Sequence, residues 1–113
     1  MIDNYRFGAI TVNGVTYRSD IKILNDAVIP NWWRATGHKV ALAEISDILT
    51  DDVEVCVIGR GASGLMKLAA DIAPALNERN ILLIAQKSDL AVKAYNEHIR
   101  AGRGVAAAFH LTC

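Results

Sequence analysis

The sequence predicts an α/β domain of three layers, in which a central mixed β-sheet carries helices on one face and an N-terminal β-hairpin on the other side or at an edge. Three observations predict it. An Asn13-Gly14 pair sits between two strand-like runs, short apolar runs alternate with helical-period segments in the second half, and a strand of small apolar residues closes the order at 105–111. Residues 1–113 are expected to form a single domain, because a chain of this length with 52% hydrophobic residues supplies a core without metals or disulfides.

Residues 6–12 and 15–19 are rich in aromatic and β-branched side chains, and Asn13-Gly14 between them signals an antiparallel hairpin, since both central residues of a type I′ turn take positive φ. Residues 20–24 alternate polar and apolar, with Ile21 and Ile23 on the apolar face. A short strand at 27–29 precedes an irregular connection that holds Pro30, Trp32, Trp33, Arg34 and Gly37. Two adjacent tryptophans cannot both point inward from a strand, so one is expected on the core and the other over an edge or a surface recess. Residues 38–42 read as a short strand, and 43–49 carry Ile45, Ile48 and Leu49 at helical spacing.

The run 53–58 is apolar throughout, which predicts a central strand buried on both faces and an inert Cys56 within it. Residues 65–79 place Leu65, Leu68, Ile72 and Leu76 on one helical face, but Pro74 interrupts them. Proline inside a helix removes a hydrogen bond and clashes with the preceding turn, so the pattern predicts a kink or a new helix near Pro74. A second buried strand follows at 81–85, and Ser88 or Asp89 is expected to cap a helix over 90–100 with Leu90, Ala91, Ala94, Tyr95 and Ile99 on its apolar face. Residues 105–111 then set Val105, Ala107, Phe109 and Leu111 on one face against Ala106, Ala108 and His110 on the other.

Twelve basic residues balance twelve acidic ones, which argues against a nucleic-acid partner or an anionic membrane surface. No run of ~18 apolar residues occurs, so direct membrane insertion is not expected. Cys56 and Cys113 stand far apart without metal-ligand spacing; free thiols and a cytoplasmic location are the expectation. His38, His98 and His110 make no metal-binding pattern, and neither a cofactor nor a catalytic residue is assigned.

Gly59, Arg60, Gly61, Ala62, Ser63 and Gly64 satisfy G-x-G-x-x-G after a strand. A dinucleotide site also needs an unbroken helix and an acidic residue about 20 positions on, at the end of the next strand. Here that strand end reads Ile84-Ala85-Gln86-Lys87, and Pro74 interrupts the helix. The glycines therefore read as a structural turn, or as a small-anion loop using Gly59, Arg60, Gly61 and Ser63.

Tyr5, Phe7, Gly8, Gly14, Tyr17 and Asp20, then Trp32 or Trp33 with Arg34, Gly37 and His38, then Ile58-Gly59 with Gly61, then Tyr95-Asn96 and the run 103–108, follow an order and spacing that resembles one family across nearly the whole chain. It is the family of the mitochondrial respiratory complex I assembly factor 3, which includes an adipogenesis-associated protein and many small uncharacterised bacterial and archaeal members. The resemblance implies a three-layer α/β fold on a central mixed sheet, no established catalytic activity and, for the mitochondrial member, work through protein partners. Arg60 stands where the family usually has threonine, which makes the loop cationic, and Ser88 stands where a threonine commonly precedes the last helix. The functional expectation is a non-enzymatic, assembly-factor-like protein that meets a protein partner at a surface or recess of Trp32, Trp33, Arg34 and His38. The alternative is a binder of, or enzyme acting on, a small anionic ligand at the Gly59–Gly64 loop.

Overall fold

The computed structural model describes residues 1–113. Asn13 and Gly14 turn the chain with φ of 49° and 81°, the two positive values of a type I′ turn. They join β2 (Ala9–Val12) to β3 (Val15–Tyr17), as expected, but β2 also pairs antiparallel with β1 (Ile2–Arg6). The predicted first strand is thus broken at Phe7-Gly8, and the hairpin is two strands of a three-stranded meander.

After β4 (Ile21–Leu24) and β5 (Ala27–Ile29) come β6 (Lys39–Val40), β7 (Val55–Arg60), β8 (Lys67–Leu68), β9 (Leu82–Gln86) and β10 (Val105–His110). Five of them form a mixed sheet in the order β5-β4-β10-β7-β9, with β10 antiparallel to β4, parallel to β7, and β7 parallel to β9. A separate parallel pair, β6 and β8, lies outside it. The strand predicted at 53–58 is buried as expected, yet the middle of the sheet is β10, buried at every residue from Val105 to His110. Its two faces divide as the sequence predicts. Val105, Ala107, Phe109 and Leu111 pack with Ile21, Ile23, Val55 and Val57, whereas Ala106 and Ala108 pack with Cys56 and Ile58. Burial pushes the Cys56 thiol up to about 12, so it stays protonated and inert at neutral pH.

The helices are α1 (Ile72–Glu78) and α2 (Ser88–Arg100). They do not share a face. Ile72 and Leu76 join the cluster around Cys56 and Ile58, while Ala91 and Tyr95 join the opposite cluster with Phe109, Ile10 and Val12 of the meander. The cause is topological: β7 to β9 and β9 to β10 step along the sheet in opposite directions, and two right-handed crossovers of opposite sense leave their helices on opposite sides. The meander therefore shares its side with α2.

Four local expectations need correction. The strand read as buried at 81–85 is the edge strand β9, with Leu82 exposed and none of its residues fully buried. The other three concern helices. The helix read over 65–79 is confined to Ile72–Glu78, with Leu65 exposed and Leu68 in β8; Pro74 sits in the first turn, where its missing N–H has no intrahelical acceptor to lose. The helical spacing at 43–49 resolves into two 3₁₀ turns, Leu42–Glu44 and Ser46–Ile48. In α2, Leu90 is exposed and the buried stripe is Ser88, Ala91 and Tyr95.

Gly59 lies inside β7 rather than in a turn. A Cβ placed on it would come within 2.5 Å of Phe109 Cδ1 and 2.8 Å of Ser88 Oγ, so glycine is there to let α2 and Phe109 approach the strand. Gly59→Ala is expected to lower stability by about 1–3 kcal/mol through overpacking, measured as a lower urea midpoint with an unchanged m-value.

Asp26 ties three elements together. Its Oδ1 accepts Tyr95 Oη from α2 and the amino terminus, both at 2.8 Å, and its Oδ2 accepts Asn13 Nδ2 of the hairpin turn at 2.9 Å. Burial works against the carboxylate, but hydrogen bonds from the amino terminus, Asn13 and Tyr95, with the ammonium charge, outweigh it and hold the Asp26 pKa below its ordinary value. Stability from a lowered carboxylate pKa is complete above the unfolded value and disappears as pH falls through the folded one. Asp26→Asn is therefore expected to cost about 0.5–1 kcal/mol at pH 7, a figure discounted for partial exposure. In urea unfolding at stepped pH the gap to wild type should narrow below about pH 4.

Candidate functional site

Parallel pairing sets Arg60, at the end of β7, opposite His110, at the end of β10. Period-two alternation turns both toward the side of the sheet that carries Ala106 and Ala108. Asp20, one residue before β4, reaches the same place. Its Oδ2 accepts Arg34 Nη2 at 2.8 Å and His110 Nδ1 at 2.7 Å, and its Oδ1 accepts the Leu111 amide at 2.8 Å. Nδ1 must carry a proton, because a bare ring nitrogen at that distance would set lone pair against lone pair. The 3.1 Å approach of Arg34 Nη2 to Nδ1 is then a contact between two donors. The two Nη2 hydrogens go to Asp20 and to the Gly37 carbonyl at 2.9 Å.

Arg34 is held from beneath by Trp32, whose ring centroid lies 4.5 Å from the guanidinium carbon, a cation–π arrangement. Trp32 Nε1 donates to the Glu44 carbonyl, and the Glu44 carboxylate accepts the amides of Ala35 and Ala41. The irregular connection is thereby pinned at both ends. The Arg34 side chain is only 5% exposed, yet its Nε and Nη1 have no hydrogen-bond partner, and neither does the buried His110 Nε2. Beside this network lies a recess of about 300 Å³ lined by Arg18, Asp20, Asn31, Trp33 and Arg34 among others. A second, more open groove of about 590 Å³ between α1 and β9 is lined by no titratable side chain.

Of the residues singled out from sequence, Trp32 is buried, Trp33 is 83% exposed at the recess, and Arg34 belongs to the network. The His38 ring meets the His110 ring edge-on, with centroids 5.8 Å apart. The glycine segment is used differently. Arg60 Nε donates to the Met66 carbonyl at 2.8 Å, the Gly61 amide to Ser88 Oγ at 2.9 Å, Ala62 to the Thr112 carbonyl, and Leu65 to the Cys113 carbonyl. Ser63 is exposed. Nor does Gly61 lead into a helix, since β8 intervenes before α1. Ser88 does not cap α2 either: it is the first helical residue, and its hydroxyl donates to the His110 carbonyl at 2.6 Å while accepting from Gly61. It ties together the ends of β7 and β10.

Asp20 entered the sequence reading only as part of the family pattern, with no role given to it, and Arg18 and Asn31 were not singled out. Asp20 and His110 are 90 positions apart, so no spacing rule joins them. The available signal was a lone carboxylate at the start of an alternating strand.

The family model described as a protein of unknown function, DUF498/DUF598, matches residues 2–110. The chain belongs to this family. Among solved structures, the DUF498 chain is similar to a protein called MT938, at 31% identity and a TM-score of 0.83, covering 100% of this chain and 98% of that one. It is also similar to an outer membrane protein from Bartonella henselae, at 25% identity and a TM-score of 0.83, covering 99% and 94% respectively. The conserved hypothetical protein PH1505 from Pyrococcus horikoshii shares the fold at 22% identity, with a TM-score of 0.82 and coverage of 100% and 99%. No helix of the present chain is long and apolar enough to cross a membrane.

Removing Asp20 would strand Arg34, His110 and the Leu111 amide at once. Asp20→Ala is expected to lower stability by about 3–5 kcal/mol, as for a broken buried pair, whereas Ser63→Ala should stay within ~0.5 kcal/mol. Guanidinium denaturation followed by far-UV circular dichroism separates the two.

Proposed function

We propose that this DUF498 domain is a non-enzymatic binding module that engages a protein partner through Trp33 and the adjoining recess. The observation that carries this reading is the contrast between neighbours: Trp32 is packed under Arg34, while Trp33, at 83% exposure, stands beside a recess lined by charged and polar side chains. A large exposed aromatic next to a polar cleft has the composition of an interface hot spot. The resemblance to the complex I assembly factor family supports a role in assembly through partners. Asp20 fits the same reading, because its two oxygens already accept three N–H groups and act as a brace for the recess wall.

A small anionic ligand is the second reading. Arg18 and Arg34 favour it in the recess, whereas around Gly59, Arg60, Gly61 and Ser63 several amides already donate to protein acceptors.

Trp33→Ala should leave stability within ~0.5 kcal/mol of wild type, since the side chain is exposed, and should abolish partner recovery in a cross-linking pull-down. Leu82→Ala, at an exposed position of edge strand β9, should not. Equal recovery by both variants would remove the basis for the Trp33 surface.

A further inference from the structure

The recess has an excess of hydrogen-bond donors over acceptors. Both oxygens of Asp20 are taken by protein N–H groups. Arg34, with 5% of its side chain exposed, keeps the Nε–H and both Nη1 hydrogens without an acceptor. Arg18 is exposed at the same recess with its side chain in no ion pair or hydrogen bond of the protein, and the Asn31 side chain adds an amide. Within the wall, two guanidinium charges face one carboxylate, and three of that carboxylate's four acceptor sites are engaged by protein N–H groups. A charged donor buried without an acceptor is expensive, and the group that satisfies it best is an anion.

From this imbalance we infer that the recess recognises a carboxylate, received by Arg18 at the mouth and Arg34 at the back, with Trp33 covering the apolar part of the molecule that bears it. The inference rests on the reading of this face as the binding face and names the chemistry it selects. A planar, two-oxygen acceptor matches the fork of a guanidinium, and a volume of about 300 Å³ admits one acidic side chain or a small organic acid. Arg34 Nε and Nη1 are shielded by the protein, so Arg34 acts as the buried charge behind the recess wall, whereas Arg18 is open to the carboxylate directly.

Nitrogen-15 NMR of the whole chain tests this, read on the arginine Nε–H, tryptophan Nε1–H and asparagine side-chain signals. The probes are the blocked peptide acetyl-Ala-Glu-Ala-amide, its Gln counterpart, and glutarate. A carboxylate site predicts saturable shifts at Arg18, Arg34, Asn31 and Trp33 with the Glu peptide, with glutarate, or with both, and none with the Gln peptide. A response to the Glu peptide alone assigns the carboxylate to a partner's side chain, and a response to glutarate alone to a free acid. Arg18→Gln, which leaves the Asp20–Arg34 bond untouched, should weaken binding roughly tenfold, the loss of one charge-assisted bond. Equal shifts with the Gln peptide, or shifts spread over the surface and indifferent to Arg18→Gln, would overturn the inference. Trp33-dependent partner capture without a carboxylate response overturns this inference and leaves the binding face standing. A carboxylate response without Trp33-dependent capture does the reverse.

Discussion

Every layer of this fold is arranged so that β10 can be buried on both sides. Its six residues lie between β4 and β7, and alanine at 106, 107 and 108 keeps the strand thin enough for layers to close from above and below. The bulk that alanine does not provide comes from neighbours: Ile21, Ile23, Val55 and Val57 on one side, Cys56, Ile58, Ile72 and Leu76 on the other. Phe109 is the exception, and its size is accommodated by the absence of a side chain at Gly59 across the ladder. Where β10 ends, its last residue, His110, emerges into the polar network around Asp20.

That network is where the apolar logic stops. Lone charges in a domain of this size are costly to bury, and the fold handles them by convergence: one carboxylate serves an arginine, an imidazole and a backbone amide. Trp32 completes the arrangement by covering the guanidinium with an aromatic face while its own N–H is anchored to the Glu44 carbonyl. The arginine left over at the surface, Arg18, and the exposed indole of Trp33 are the parts of the cluster that remain free to meet something else.

Much of this architecture was legible in the residues. Asn13-Gly14, the division of faces at 105–111 and the division of labour between Trp32 and Trp33 could be read because each depends on local geometry: turn dihedrals, period-two alternation and opposed neighbours on an extended chain. The layer of each helix was not legible, because it depends on the spatial order of strands, and β9 could have been placed between β7 and β10 on the same residues. Gly59 and Ser88 were misread for a related reason. Gly59 was read as part of a turn and Ser88 as a helix cap, yet each answers to a contact across the sheet, Phe109 in one case and Gly61 with His110 in the other. Of the candidate site, Trp32, Trp33, Arg34 and His38 were read as one neighbourhood, and the pairing of Asp20 with Arg34 and His110 was invisible to any rule of spacing.

The position of β10 also has a bearing on when the protein can fold. The middle strand of the sheet is its last in sequence, so β4 and β7 gain their shared neighbour only after residue 110 has been made. On a ribosome the earlier segments emerge with apolar edges unmatched, and the non-local pairing that joins them is the slow kind to form. The meander, whose pairings are local, can assemble first and wait. A nascent chain stalled before 105 would thus present a folded turn followed by open strand edges, which is the form most exposed to chaperones and to aggregation.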